Sequence, residues 1–283
     1  MYSSSEREIL FFVTSITAGL SLLGCLFIIL VYLLFKELRV FAFKLVVHMT
    51  IGDFLRSLGF LLQSHYLCPV QAMLIQAGSL ASILWNGVIA RTLYLSVVLE
   101  LRDMDEMEAR YTYGVYGVVA VLTALPWTTM DYGDAEGWCW INTTSSNYTS
   151  GTVWRVVCFF LPLLLVVLNN LFSYISVIRA LRKNFQNTSG DIPALIQKLR
   201  FYPIILIVCY TCTASKRLYD AVASDADDFV WAVLVAMMLG SIGLVDALVY
   251  GFTQSVRQAI VQKLCPGRDR SSSESSLSDI SLM

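Results

Sequence analysis

Asp53 and Arg56 stand three residues apart within an apolar run, so a helix carries both on one face and lets them pair. Arg91 and Asp246 interrupt two other apolar runs. Charges in such settings are costly and mark functional positions by default. Counted from the nearer helix ends at about 1.5 Å per residue, Arg91 falls roughly 12 Å deep and Asp246 roughly 9 Å. Opposite charges at one level on different helices predict a buried switch network of Asp53, Arg91, Asp246 and Tyr250, with Asn169 or Asn170 beside it. Unrelated charges that snorkel or pair locally are the alternative.

A second group gathers at the other end of the apolar runs: Arg155, Lys216 and Arg217, with Asp220, Asp225, Asp227 and Asp228 beyond them. Cations at the rim of a cavity suit an anionic ligand. Pairing of those cations with the aspartates is the plainer reading. With Arg56, Trp138 and Trp140 they form the candidate ligand-binding set.

Of seven cysteines, Cys25, Cys158, Cys209 and Cys212 fall within apolar runs. Cys209-Tyr-Thr-Cys212 has the letters of a redox motif without its strand–helix context. Cys68 and Cys139 are the two expected on the oxidising side, where a bond between them closes a loop of about 70 residues. Two free thiols are the other possibility. Enzyme chemistry finds little support. Only His48 and His65 exist to join a metal site, no serine sits in a Gly-x-Ser-x-Gly elbow, and Phe229–Phe252 has no lysine for a retinal Schiff base. No cofactor and no metal are expected.

The elements that must position these residues are long and apolar. Of 283 residues, 57% are hydrophobic and 14% charged, with mean hydropathy +0.65; soluble domains carry about 25% charged residues. The apolar residues fall in blocks at about Ile9–Phe35, Phe41–Gln63, Pro69–Leu99, Tyr111–Met130, Val153–Arg179, Phe201–Val222 and Phe229–Phe252. None alternates as a barrel strand does, and backbone groups in lipid must pair within their own segment. The expected fold is therefore an all-α seven-transmembrane helix bundle. Net charge is −1, which points to no partner, and nucleic acid is not expected as one. Only eight residues precede the first block and they are not basic, so no cleavable signal is expected.

With the N-terminus outside, fourteen Lys and Arg residues fall on the inner side against four on the outer. Asn142 and Asn147 then lie in the outer Asp131–Thr152 loop as glycosylation sites, while the Asn187 sequon faces the cytoplasm and stays bare. Pro126, Pro162 and Pro203 are expected to bend their helices. The chain divides into a short outer N-terminus (1–8), the bundle (9–253), an amphipathic juxtamembrane helix (254–265) and a disordered serine-rich tail (266–283). Cys265 is a candidate palmitoylation site. Ser271, Ser272, Ser273, Ser275, Ser276 and Ser278 are candidate phosphorylation sites.

Several stretches carry a resemblance. Leu38-Arg39-Val40-Phe41-Ala42-Phe43-Lys44-Leu45 with Ile51-Gly52-Asp53-Phe54-Leu55, and Gly137-Trp138-Cys139-Trp140-Ile141, are similar to the slime-mould cyclic AMP receptors. So are Gln197-Lys198-Leu199, Val208-Cys209-Tyr210 and Lys216-Arg217-Leu218-Tyr219. The likeness covers most of the seven-helix region and fades in the tail. It implies a G-protein-coupled receptor, with Cys68–Cys139 as its outer disulfide, a ligand pocket between the outer helix halves and a tail open to kinases. Asp246-Ala-Leu-Val-Tyr250 lacks the proline of the corresponding rhodopsin-like element. Leu99-Glu100-Leu101-Arg102 stands where those receptors have Asp-Arg-Tyr.

The expected function is a plasma-membrane receptor passing an extracellular small-molecule signal, cyclic AMP or another anion, to a heterotrimeric G protein. A receptor kinase and arrestin-like proteins are further expected partners, beside the lipid bilayer. A transporter or channel with a charged interior pathway is the alternative from another class.

Overall fold

Ser3 opens the first helix with a capping box. Its hydroxyl accepts from the Glu6 amide while Glu6 returns a bond to the Ser3 amide, at 3.3 and 2.7 Å. From there α1 runs Ser4–Leu34. It ends where Arg39 folds back and donates through Nη2 to the Leu33 carbonyl at 2.9 Å, a cation placed on the negative end of the helix. Then come α2 (Phe41–Leu61), α3 (Cys68–Val98) and α4 (Asp105–Ala124), whose end tightens into a 3₁₀ turn through Pro126. Strands β1 (Tyr132–Asp134) and β2 (Cys139–Ile141) pair antiparallel, with Gly133 opposite Trp140. α5 (Tyr148–Arg155) passes through a π turn at Val156–Phe160 into α6 (Leu161–Phe185). The last is α7 (Phe229–Gly251). This computed structural model describes residues 3–62, 65–101, 105–135, 138–143, 148–185, 215, 229–251, 253, 256–257 and 259–261.

Four helices among the described residues are long and apolar enough to cross a membrane: Ser4–Leu34, Cys68–Val98, Thr149–Lys183 and Phe229–Gly251. α2 and α4 carry more charge, Lys44, Asp53 and Arg56 on one, Asp105, Glu106, Glu108 and Arg110 on the other. Six of the seven apolar blocks are thus helical. The block at 201–222 lies, apart from Ser215, outside the described residues. The protein is a multi-pass helical membrane protein. Its outward faces are apolar, as lipid requires: Phe12, Ile16, Leu23, Leu165 and Phe172 are all more than half exposed.

α3 is the centre. It packs on α2, α4, α6 and both strands, while α1 packs on α2 and α7. The α2–α3 seam is set by two glycines. A Cβ on Gly52 would lie 2.6 Å from the Ser82 amide nitrogen, and one on Gly78 would drive into the Arg56 amide. Backbones this close bring Asp53 and Arg56 against α3. Beyond α7, Val256 is fully buried against Val31, Phe35 and Leu38, so the described helical residues there return to the end of α1.

A buried polar core and a tryptophan-capped cavity

The Asp53 and Arg56 side chains are 0% and 1% exposed, and Asp53 Oδ1 lies 2.8 Å from Arg56 Nη2. The approach is that of an ion pair rather than an aligned hydrogen bond. Asp246 reaches the pair from α7, within the fields of both the Asp53 carboxylate and the Arg56 guanidinium. Tyr250, one turn on, is buried within the field of Asp53. Gly243 makes room for this meeting, since a Cβ there would lie 2.8 Å from Cys25 Sγ and 3.1 Å from Asp53 Cβ. One cation and two carboxyl groups thus sit where α1, α2 and α7 converge.

Arg91 does not join them. It is exposed on α3, and its guanidinium lies over the Tyr94 ring, 4.8 Å from the centroid. Depth along the helix places Arg91 and Asp246 at one level, but Arg91 faces away from α7. Asn169 and Asn170 also serve another seam. Asn170 Nδ2 donates to Asn86 Oδ1 at 2.7 Å and Asn169 Nδ2 to the Gly87 carbonyl at 3.0 Å, tying α6 to α3.

At the disulfide end, the helices enclose a small cavity lined by Arg56, Phe60, Ile75, Ser79, Trp138, Trp140, Phe159 and Leu239. It offers about 30 Å³, room for one or two waters. Three residues of the candidate ligand set, Arg56, Trp138 and Trp140, therefore meet on one space. The two tryptophans flank Cys139, which is bonded to Cys68 with their Cα atoms 5.3 Å apart. The bond holds the β1–β2 hairpin to the start of α3 and over the cavity. Trp138 meets Phe60 edge-on at 5.9 Å, and Trp140 meets Phe159 edge-on at 5.2 Å.

Trp140 is fixed through a residue the sequence did not single out. Its Nε1 donates to Gln76 Oε1 at 2.7 Å, and Gln76 Nε2 donates to the Cys158 carbonyl at 3.1 Å. Proline at 162 has no N–H to offer the carbonyl four residues back, which is that of Cys158. The π turn and Gln76 absorb the defect. That proline was the available signal for a buried polar partner. Pro126, by contrast, ends its helix in a 3₁₀ turn.

Arg155 buttresses this arrangement. Its Nε donates to the Ile141 carbonyl at 2.8 Å, and its guanidinium lies 5.2 Å from the Trp140 ring centroid. Asp131, fully buried, accepts from Thr129 Oγ1 at 2.5 Å and Ser150 Oγ at 3.1 Å, joining the hairpin to α5. Tyr132 donates to the Thr123 carbonyl at 2.8 Å, and burial pushes its phenol well above the ordinary tyrosine range. Asn142 is half-buried, with its amide against Gly133. Lys216, Arg217, Asn147, Cys265 and the serines from Ser271 to Ser278 lie outside the described residues.

The sequence that builds this bundle is similar to those of known proteins. The family profile described as slime mold cyclic AMP receptor matches residues 1–254. The chain belongs to that family. Among relatives of this receptor, G-protein coupled receptor 1 of Arabidopsis thaliana is 30% identical over 276 residues, covering 93% of this chain and 83% of that protein. Cyclic AMP receptor-like protein A of Dictyostelium discoideum is 20% identical, covering 89% and 67%. G-protein coupled receptor 157 of Homo sapiens is 27% identical, covering 56% and 52%. The family is one of receptors rather than enzymes, and a receptor role follows for this member.

Proposed function

We propose that this receptor sits in the plasma membrane with its N-terminus outside and its seven helices spanning, and couples an extracellular small ligand to a cytoplasmic heterotrimeric G protein. The observation that carries the reading is the cavity in which Arg56, Trp138 and Trp140 meet beneath the tethered hairpin. Cyclic AMP or another anionic ligand suits it: a phosphate faces one cation, Arg56, and two aromatic faces on which a base stacks. With room for only one or two waters, the cavity admits such a ligand when the hairpin lifts and Asp53 yields Arg56 in part. That exchange links ligand entry to the Asp53–Arg56–Asp246 cluster and so to α7. Arg155 acts by holding Trp140, and Lys216 and Arg217 complete the cationic rim.

The remaining assignments accompany this orientation. Asn142 and Asn147 take glycans outside; Cys265 takes a palmitoyl chain, and the serines from Ser271 to Ser278 take phosphates for an arrestin-like partner inside. The decisive experiment measures guanine-nucleotide exchange on a reconstituted G protein across a ligand panel led by cyclic nucleotides. Exchange raised by a ligand in the wild type and lost in Trp140→Ala is the expected result. Substrate flux into sealed vesicles without any exchange would overturn the receptor mechanism.

A further inference from the structure

Arg91 is an exposed cation on a helix otherwise suited to lipid, and among the described residues no carboxylate pairs with it. α3 has 31 residues, so it is about 46 Å long against a hydrocarbon core of about 30 Å; centred on the core and along the membrane normal, it extends about 8 Å beyond the core at each end. Arg91 precedes the last residue, Val98, by seven positions, about 10 Å, which sets its Cα about 2 Å inside the hydrocarbon boundary. Helical side chains start out toward the N-terminus, here the disulfide end. This guanidinium instead lies over Tyr94, three residues toward the opposite end. It reaches for the nearer interface.

The surface around it is built for an acyl chain. Tyr94 packs against Phe172 of α6 at 5.4 Å, closing the seam between the two helices. Leu168, Phe172 and Ile175 follow one another at helical spacing and are all exposed. Four residues beyond Ile175, still on that face, stands the exposed Arg179.

We propose that this α3–α6 seam binds an anionic phospholipid, with Arg91 taking the phosphate, Tyr94 supporting the guanidinium, and the acyl chains along Leu168, Phe172 and Ile175. Arg179 adds charge on the headgroup side. A cation at the hydrocarbon boundary gains most from a fixed phosphate, and anionic lipid concentrates in the cytoplasmic leaflet. Placing the site in that leaflet rests on the orientation proposed above; the binding itself does not.

The test is native mass spectrometry of the full-length receptor in detergent, titrated with phosphatidylserine or phosphatidylcholine. The wild type is expected to retain phosphatidylserine preferentially. Arg91→Gln lowers that retention about fivefold, the worth of one cation at a lipid surface, while Arg91→Lys keeps most of it. Arg7→Gln, at the far end of the molecule, leaves it unchanged. Should Arg91→Gln not survive purification, Arg179→Gln and the wild-type contrast between the two lipids decide. Equal retention of both lipids, retention unaltered by Arg91→Gln or, in that fallback, by Arg179→Gln, or displacement by millimolar inorganic phosphate overturns the site. Micelles have no leaflets, so a wrong orientation leaves this result intact and is exposed separately by mapping glycans on Asn142, Asn147 and Asn187.

Discussion

Gln76 carries a greater burden than its neutral side chain suggests. Replacing it with Leu leaves the Trp140 indole N–H and the Cys158 carbonyl buried without their partner. Each orphan costs about 1–3 kcal/mol, so Gln76→Leu is expected to lose about 3 kcal/mol in a thermal melt and to weaken ligand binding through a looser Trp140. Tyr132 supplies a pH dependence. Its phenol titrates near 10.0 when unfolded and higher when folded. Its contribution is full below pH 10 and fades as pH rises through the gap between those values. The drop in melting temperature between pH 9 and pH 11 is therefore expected to be smaller in Tyr132→Phe. At this scale the sequence displayed the charges but not their azimuths. Counting residues gives depth, whereas the face of α3 on which Arg91 sits depends on packing: the polar residues Gln71, Ser79, Ser82 and Asn86 are buried against other helices, and Arg91 stands apart from them. Asp53 and Arg56 were legible because a three-residue spacing fixes both level and face.

Helices and turns were read more readily than their joints. Apolar blocks set the helix positions to within a few residues at most ends; α4 instead starts at Asp105, ahead of the apolar run, because lipid contact governs composition only within the membrane. The joints depend on single atoms. At the α2–α3 seam, Gly78→Ala places a methyl group against the Arg56 backbone and is expected to cost about 1–3 kcal/mol, read as a lower melting temperature. Gly114, whose Cβ position is open, is the matched control. Met130 ends the 3₁₀ turn after α4 with φ at 57°, a left-handed conformation that disfavours a side chain, and it is largely exposed. Met130→Gly relieves that backbone and is expected to stabilise the protein by about 1 kcal/mol. No pattern of hydropathy announces such a turn. The π turn before Leu161 is likewise invisible to periodicity, although Pro162 betrays the carbonyl it strands.

Across the whole molecule, coupling is expected to follow contact. Asp53→Asn and Asp246→Asn should combine non-additively in a melt, whereas Arg91→Gln and Asp246→Asn should add, because α3 turns Arg91 away from α7. The Cys68–Cys139 bond spans 71 positions, and in the loop-entropy account its removal costs about 4 kcal/mol. The same separation also imposes a schedule on biosynthesis. Cys68 emerges before α3 and α4, and its partner emerges only after both, so in the proposed seven-span topology no bond forms until that helical pair has inserted and returned the chain to the same face of the membrane. Meanwhile Cys25 and Cys158 are buried within the bundle and offer no rival thiol once it has packed. Oxidation is then a checkpoint on insertion. In a pulse-chase, the compact form on a non-reducing gel should appear only after α4 has been integrated, and a chain with α4 deleted should leave Cys68 open to mispairing and retention.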